Sequence, residues 1–350
     1  MTSDRPDAQR ARPAAPPARP RAADAATFAD RHWYRLSWLS LLLAPAAVAF
    51  GAAVAVRRAL YRRGLLRAAR LAVPVVVVGN LVAGGTGKTP LVLWLVHELA
   101  RRGLRPGIVS RGHGGATAAP RPVPAAGDPA DYGDEPVLLA ERARAPVWIG
   151  RDRAAAARAL LAAHPACATI VCDDGLQHYA LARDFEIAGR DARGAGNGLL
   201  LPAGPLREPR TRAVDAWVVN GAPAAPGEYA MRLLPAGFRR VDASGAAVPP
   251  DSLAGTRLHA VAGIGHPARF FAQLRALGLA PAEHPFPDHH AYRPADLDFA
   301  ECDLVLMTEK DAVKCRSFGR SDLVALRVDA EVDRALADRV EARIRGRPTA

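Results

Sequence analysis

The run Gly84-Gly85-Thr86-Gly87-Lys88-Thr89 follows the apolar stretch Val75-Val76-Val77-Val78-Gly79-Asn80. Glycines in such a loop let backbone N–H groups close around phosphate oxygens, Lys88 adds a point charge for the β- and γ-phosphates, and Thr89 offers a hydroxyl to Mg²⁺. The pattern departs from GxxxxGK[ST]: Val82 stands where the first glycine is expected, and glycines lie instead at 79, 84 and 85. A glycine-rich turn that happens to carry a lysine is the plain alternative, and the strand before and helix after argue against it. Composition adds an independent argument. Of 47 basic residues only Lys88, Lys310 and Lys314 are lysine, and a planar guanidinium cannot replace a compact ammonium in a tight phosphate cradle.

Three further clusters carry acid–base or metal chemistry. Asp173-Asp174-Gly175-Leu176-Gln177-His178 follows an apolar strand, and carboxylates at a strand end beside a phosphate loop can hold Mg²⁺. Paired aspartates also serve as turn and cap residues, but the loop upstream favours the metal. Asp131-Tyr132-Gly133-Asp134-Glu135-Pro136 opens a helix; Asp134 fits either an N-terminal cap or the carboxylate that orients an acceptor hydroxyl in a kinase. Phe286-Pro287-Asp288-His289-His290 lies in a proline-bounded loop, where the histidines could be solvated, metal-binding or acid–base groups. Alternating side-chain direction argues against both facing one ion.

The elements that must position these groups alternate in type. Helices are expected over 90–102, 136–144 and 151–164, and strands over 107–111, 147–149 and 169–172. That pattern predicts an α/β fold whose parallel sheet is covered by helices on both faces, with ligands at the carboxyl ends of the strands. Beyond linking strands at 213–240, segments 258–264, 304–307 and 323–326 read as strands and 267–277 and 331–345 as helices. Together they form a smaller α/β lobe over 241–350. At 350 residues the chain is long enough for two such units.

The N-terminus differs. Residues 1–28 are rich in Ala, Pro and Arg and are expected to be disordered. Residues 36–56 form 21 positions without a charge, long enough to span a bilayer or lie along its surface. Arginines at 57, 58, 62, 63, 67 and 70 follow, suited to anionic headgroups. The unit 29–70 therefore reads as a membrane-associated helix with a basic flank, preceding a P-loop core over 71–212; a cleaved signal peptide is disfavoured by the phosphate loop close behind it. A net charge of +12 calls for an acidic partner: nucleic acid, an anionic membrane or a phosphorylated substrate. Cys167, Cys172, Cys302 and Cys315 lack metal-site spacing and read as reduced thiols of a cytosolic compartment.

Taken in order, these motifs resemble the tetraacyldisaccharide 4′-kinases, which phosphorylate the lipid A disaccharide precursor in Gram-negative bacteria. The resemblance covers about 33–328. Besides the motifs above it includes Ser110-Arg111-Gly112-His113-Gly114, Gly196-Asn197-Gly198, Leu201-Pro202-Ala203-Gly204-Pro205-Leu206-Arg207-Glu208, Ala262-Gly263-Ile264-Gly265-His266-Pro267 and Thr308-Glu309-Lys310-Asp311-Ala312-Val313-Lys314. It implies a P-loop NTPase-like sheet with a second lobe, ATP and Mg²⁺ as cosubstrates, and transfer to the 4′-hydroxyl of the disaccharide 1-phosphate at the cytoplasmic face of the inner membrane. The acidic partners would be that lipid and the anionic membrane surface, with no nucleic acid and no obligate protein partner.

The resemblance also implies roles. Asn80, Gly84, Gly85, Thr86, Gly87, Lys88 and Thr89 would hold the nucleotide; Thr89, Glu135, Asp173 and Asp174 would serve the metal. Lys88 would hold phosphates in catalysis, and Asp134 would be the base, working with His289 reaching across from the second lobe on closure. Arg111, Arg207 and the arginines at 57–70 would be candidates for the 1-phosphate. The rival reading is a partitioning or metal-insertion ATPase or GTPase acting on a protein partner; such loops usually carry a lysine where this chain has Ala83. A membrane-bound scaffold without catalysis leaves the acidic strand-end residues without a purpose.

Overall fold

The computed structural model describes residues 32–112, 119–242 and 244–347. The segment 1–28 and the positions His113 and Gly114 lie outside the described residues.

Strand β1 (Val75–Asn80) is buried along its whole length. Val76 and Val78 face one apolar cluster with helices α3 (Lys88–Arg101), α5 (Asp134–Arg142), which follows the one-turn α4 (Pro129–Tyr132), and α9 (Ala335–Arg345). Val75 and Val77 face the opposite cluster with α6 (Arg153–Ala163). A strand apolar on both faces needs cover on both, and each fully buried valine contributes roughly 1.5–3 kcal/mol. Around it run β6 (Phe185–Asp191), β1, β5 (Thr169–Asp173), β2 (Pro106–Ser110) and β4 (Val147–Ile149), all parallel, with the short β3 (Arg121–Pro122) antiparallel at the edge.

On the other side of β6, β7 (Ala216–Asn220) and then β8 (Tyr229–Arg240) continue the sheet in parallel. The long β8 pairs antiparallel with β13 (Leu323–Val332), and β13, β12 (Leu304–Thr308), β10 (Leu258–Ala262) and β11 (Ala282–Pro285) form a second parallel block. Strand β9 (Ala247–Val248) pairs with β8. The two blocks thus belong to one thirteen-stranded sheet among the described residues. The smaller block packs Phe270, Phe271 and Leu274 of α7 (Pro267–Ala276) on one face, and Ala312 and Cys315 of α8 (Glu309–Cys315) on the other.

Several boundaries differ from expectation. Helices α3 and α5 begin two residues before Pro90 and Pro136, because a proline in the first turn gives up only an N–H that has no intrahelical partner. Lys88, Thr89, Asp134 and Glu135 therefore sit in first helical turns. At the far end, Glu331 and Val332 pair with Arg232 and Met231 as the end of β13, so the last helix starts at Ala335 and not at 331.

The apolar segment 36–56 is not one helix. Leu43 separates α1 (Trp38–Leu42) from α2 (Ala44–Arg62), and Pro45 opens the second helix instead of kinking a single one. Among the described residues no helix is long and apolar enough to cross a membrane. Leu36, Trp38, Leu41, Leu42, Val48 and Val56 are exposed. The opposite side packs on the core: a Cβ at Gly51 would lie 2.7 Å from Leu200 Cδ1, so the helix approaches closely only through glycine. Just before α1, the Trp33 carbonyl accepts from Asn197 N at 2.7 Å, and Trp33 Nε1 donates to the Pro202 carbonyl at 3.1 Å. The Gly-Asn-Gly and Leu-Pro-Ala-Gly motifs are the clamp for the N-terminal segment.

Gly196 has φ of 59°, and a Cβ there would stand 2.4 Å from the Trp33 carbonyl oxygen. Gly196→Val is expected to cost about 1–3 kcal/mol and to release the N-terminal segment. Limited proteolysis should then cut ahead of α2 at protease levels that leave the parent chain whole.

Candidate active site

The parallel register of β1 with β5 sets Val78 opposite Asp173, so the loop leaving β1 and the carboxylates ending β5 emerge side by side. Residues 81–83 do not cradle anything; they are tied to the next segment. Ala83 N donates to the Pro205 carbonyl at 2.8 Å, Arg207 N donates to the Leu81 carbonyl at 2.7 Å, and Val82 bridges Leu206. Val82 is buried at 6% exposure, so the residue that breaks the glycine pattern is a packing residue.

The loop proper is fixed from four sides. Asn80 Nδ2 donates to the Gly84 carbonyl at 3.0 Å, Gln177 Nε2 to the Asn80 carbonyl at 3.1 Å, Asn220 Nδ2 to the Thr86 carbonyl at 3.0 Å, and Arg193 Nη2 to the Gly85 carbonyl at 3.0 Å. Gly87 caps α3 with φ of 90°, and a Cβ there would lie 2.6 Å from Asn220 Nδ2, so conformation and space both demand glycine. With these carbonyls occupied from outside, the loop is left to present N–H groups at the helix N-terminus, the geometry that attracts anions. Lys88 Nζ donates to Asn80 Oδ1 at 3.3 Å and pairs with Asp174 Oδ1 at 3.6 Å.

Asp173 and Asp174 are adjacent but differ in environment. Asp173 is 1% exposed; its Oδ2 accepts from Ser110 Oγ at 3.1 Å, and its buried Oδ1 has no hydrogen-bond partner. Burial, with the nearby Glu135 and Asp174 carboxylates, pushes its acid up to about 7 despite Lys88. Asp174 sits at φ of 45° and pairs with Arg207 Nη1 at 3.1 Å. Burial opposes its ionisation, yet Lys88 and Arg207 hold it below the usual carboxylate range.

Asp134 and His289 meet across the two blocks of the sheet. Asp134 is 7% exposed, its Oδ1 accepts from Glu135 N at 2.9 Å, and its Oδ2 lies 3.0 Å from His289 Nδ1. His289 occupies the left-handed region at φ of 59°. Burial disfavours the Asp134 carboxylate, but the His289 hydrogen bond and Lys310 carry it below its ordinary range; the same hydrogen bond raises His289. His290 turns away to Asp296 at 3.3 Å and packs on Phe286 and Tyr292. Lys310 Nζ stands 3.1 Å from Glu135 Oε1, 3.4 Å from Asp288 Oδ1, 3.3 Å from His289 Nε2 and 3.9 Å from Asp134 Oδ2.

One cavity of about 770 Å³ collects these groups: the loop from Gly84 to Thr89, Asp134, Glu135, Asp173, Asp174, Asp288, His289 and Lys310. Phe50, Val54 and Arg57 of α2 line it too, as do Arg111 and Arg207. A larger cleft of about 1490 Å³, between Arg105, Arg144, Arg239 and Arg316, contains none of the loop, strand-end or His289 residues. Size does not locate the chemistry here.

The donor set fits Mg²⁺. Oxygen donors gather at the strand end, and the orphaned Asp173 Oδ1 lacks a partner that a cation would supply. No group of three or more His, Cys, Asp or Glu among the described residues forms a metal cage. A hard cation here would thus share its ligands between one or two carboxylates, phosphates and water.

A phosphate loop after the central strand, carboxylates on the neighbouring strand and a second carboxylate–histidine site facing them define a P-loop α/β protein built for phosphoryl chemistry. The model of the family described as Tetraacyldisaccharide-1-P 4′-kinase matches residues 39–345, and the chain belongs to that family. The tetraacyldisaccharide 4′-kinase of Methylobacillus flagellatus is 51% identical over 318 residues, covering 90% of this chain and 95% of its own. That of Azoarcus sp. is 50% identical over 331 residues, covering 92% and 97%. Among solved structures, the "apo" form of LpxK from Aquifex aeolicus in complex with ATP superposes with a TM-score of 0.76 at 29% identity, over 87% of this chain and 99% of that one.

Residues 84–89, the Asp134–Glu135 and Asp173–Asp174 carboxylates and His289, all singled out from sequence, line the one cavity, while Asn80 does not line it and braces the loop through Gly84 and Lys88. Asn220, which has no local signature, is missed from sequence, and Ser110 and Lys310, though within the family motifs, are given no role there. Lys310 had a signal, being one of three lysines in an arginine-rich chain.

Because the folded-state pKa of Asp173 lies above its unfolded value, its ionisation destabilises the fold, increasingly as pH rises from about 4 to about 7. Asp173→Asn keeps an acceptor for Ser110 and removes that charge. Without nucleotide or Mg²⁺, it is expected to be more stable than the parent by about 1–3 kcal/mol at pH 8, with the gain fading toward pH 4.5. Thermal melts across that range give the measurement.

Proposed function

We propose that this protein transfers the γ-phosphoryl group of ATP to the 4′-hydroxyl of a tetraacyldisaccharide 1-phosphate, the step that yields lipid IVA in lipid A biosynthesis. The observation that carries the reading is the Asp134–His289 pair, 3.0 Å apart, in the cavity that also contains Lys88. Family membership supplies the substrate.

Asn80, Gly84, Gly85, Thr86, Gly87, Lys88 and Thr89 cradle the ATP phosphates. Mg²⁺ would be held by the Thr89 hydroxyl and the Asp173, Asp174 and Glu135 carboxylates, and when bound it neutralises charge on the phosphates. Asp134, ionised at neutral pH, accepts the proton of the 4′-hydroxyl as that oxygen bonds to the γ-phosphorus and the bond to the bridging β–γ oxygen breaks. His289 donates to Asp134 Oδ2 and keeps the carboxylate aimed. Lys88 opposes the charge on the transferred group.

The lipid reaches the site along the membrane surface. Trp38, Leu41, Leu42 and Val48 are exposed apolar residues on α1 and α2, Arg62, Arg63 and Arg67 are exposed at and beyond the end of α2, and Phe50, Val54 and Arg57 line the cavity. This supports attachment of α1 and α2 at the cytoplasmic face of the inner membrane, lying on the bilayer. The domain boundaries that go with it are a membrane-associated unit to residue 70, a kinase core to 212, linking strands to 240 and a smaller lobe to 350.

Purified protein with Mg²⁺, [γ-³²P]ATP and the disaccharide 1-phosphate should give product labelled at the 4′ position; folded, ATP-binding protein that labels nothing overturns the reading. Lys88→Ala and Asp134→Ala should each lower turnover about 10²- to 10⁴-fold, with Lys88→Ala at least as severe. A Trp38→Glu, Leu42→Glu double variant should lose co-sedimentation with phosphatidylglycerol-containing vesicles while keeping its melting temperature; undiminished co-sedimentation would refute surface attachment through α1.

A further inference from the structure

We propose that Lys310 is a positioning residue that fixes His289 as its Nδ1–H tautomer and thereby keeps a hydrogen-bond donor on Asp134. Lys310 stands in the first turn of α8, whose N-terminus is capped by Thr308 Oγ1 accepting from Asp311 N at 3.1 Å. Its side chain is 16% exposed, and three acceptors surround Nζ: Glu135 Oε1 at 3.1 Å, Asp288 Oδ1 at 3.4 Å and His289 Nε2 at 3.3 Å.

An ammonium has three N–H donors and no acceptor. Its contact with His289 Nε2 is a hydrogen bond only when Nε2 carries a lone pair, which leaves the ring proton on Nδ1. Nδ1 faces Asp134 Oδ2 at 3.0 Å, and an ionised carboxylate is an acceptor only. Both neighbours thus demand the same tautomer. In the opposite one a lone pair would face the carboxylate and an N–H would face the ammonium, so both contacts would turn repulsive. Which nitrogen of a histidine carries the proton is set by what its other nitrogen meets.

Residue type supports the role. The three acceptors converge on one atom, which suits a tetrahedral ammonium; the donors of a guanidinium lie in one plane. Lysine is kept here in a chain where only three of 47 basic residues are lysine. Glu135 comes from α5, and Asp288 and His289 from the loop after β11, so Lys310 also ties the two sides of the cavity together.

The kinetic arm of the test rests on Asp134 being the base; the tautomer arm needs no substrate, so the two can fail separately. Full-length protein labelled with [¹⁵N]histidine, with His289 assigned by its loss in His289→Gln, should show a pyridine-type Nε2 and a pyrrole-type Nδ1. In Lys310→Met the two signals should move toward each other or exchange, and kcat should fall about 10- to 100-fold while the KM for ATP changes less than about threefold. Lys310→Gln retains an N–H donor without charge and should recover the parent tautomer and part of the lost kcat. A pyrrole-type Nε2 in the parent protein, or an unchanged His289 pattern in Lys310→Met, overturns the proposal. Should Lys310→Met fail to fold, the parent spectrum and Lys310→Gln still decide it.

Discussion

Charge pairing inside one partly buried cavity is the constraint on which the rest of this structure depends. Asp134, Glu135, Asp173, Asp174 and Asp288 converge there, and like charges in a medium of reduced dielectric cannot all ionise unless cations stand among them. Lys88 and Arg207 take Asp174; Lys310 takes Glu135 and Asp288 and lies close to Asp134. Asp173 alone is left with a serine hydroxyl and a raised acid. Around Asp134 one ammonium thus serves three carboxylates, whereas at the strand end Lys88 and Arg207 are both committed to Asp174 and Asp173 has no cation of its own. The strand end is where a divalent cation would give the orphaned Asp173 Oδ1 its counter-charge and offset the phosphates it binds.

The scaffold brings these charges together through two kinds of strand pairing. Parallel pairing of β1 with β5 sets the loop beside Asp173 and Asp174. The antiparallel β8–β13 pair joins the smaller block to the same sheet, so the loop carrying His289 and the helix carrying Lys310 face α5. Arg142, at the other end of α5, donates to Glu309 at 2.7 Å and to the Val328 carbonyl at 3.1 Å. Both ends of α5 are therefore tied to the smaller block. His289 already lies within hydrogen-bond distance of Asp134, so the cross-lobe contact expected to need closure is part of the fold.

The N-terminal segment is as much a part of this site as the strands are. Gly196 and Asn197 grip the chain at Trp33, Gly51 lets α2 approach Leu200, and Phe50, Val54 and Arg57 then reach the cavity wall. One side of α2 is thus committed to the enzyme, while Val48 and Val56 on the same helix stay exposed. A helix with this division of labour links an apolar surface to the place where phosphoryl transfer is proposed.

The sequence by itself determined the alternating α/β class, the phosphate loop, the carboxylates at the strand end and the family, because these rest on local patterns: apolar runs, glycine spacing and the order of short motifs. Two helices expected from Pro90 and Pro136 begin two residues earlier, because a first-turn proline gives up only an N–H without an intrahelical partner. The resemblance already paired His289 with Asp134; only the tertiary structure decided that Val82 is a packing residue against Leu206 and set His289 Nδ1 3.0 Å from Asp134 Oδ2. It alone brought Lys310 to that pair. Each of these depends on contacts between residues more than a hundred positions apart or on a side chain's direction within a loop, and neither periodicity nor composition encodes distances of that kind.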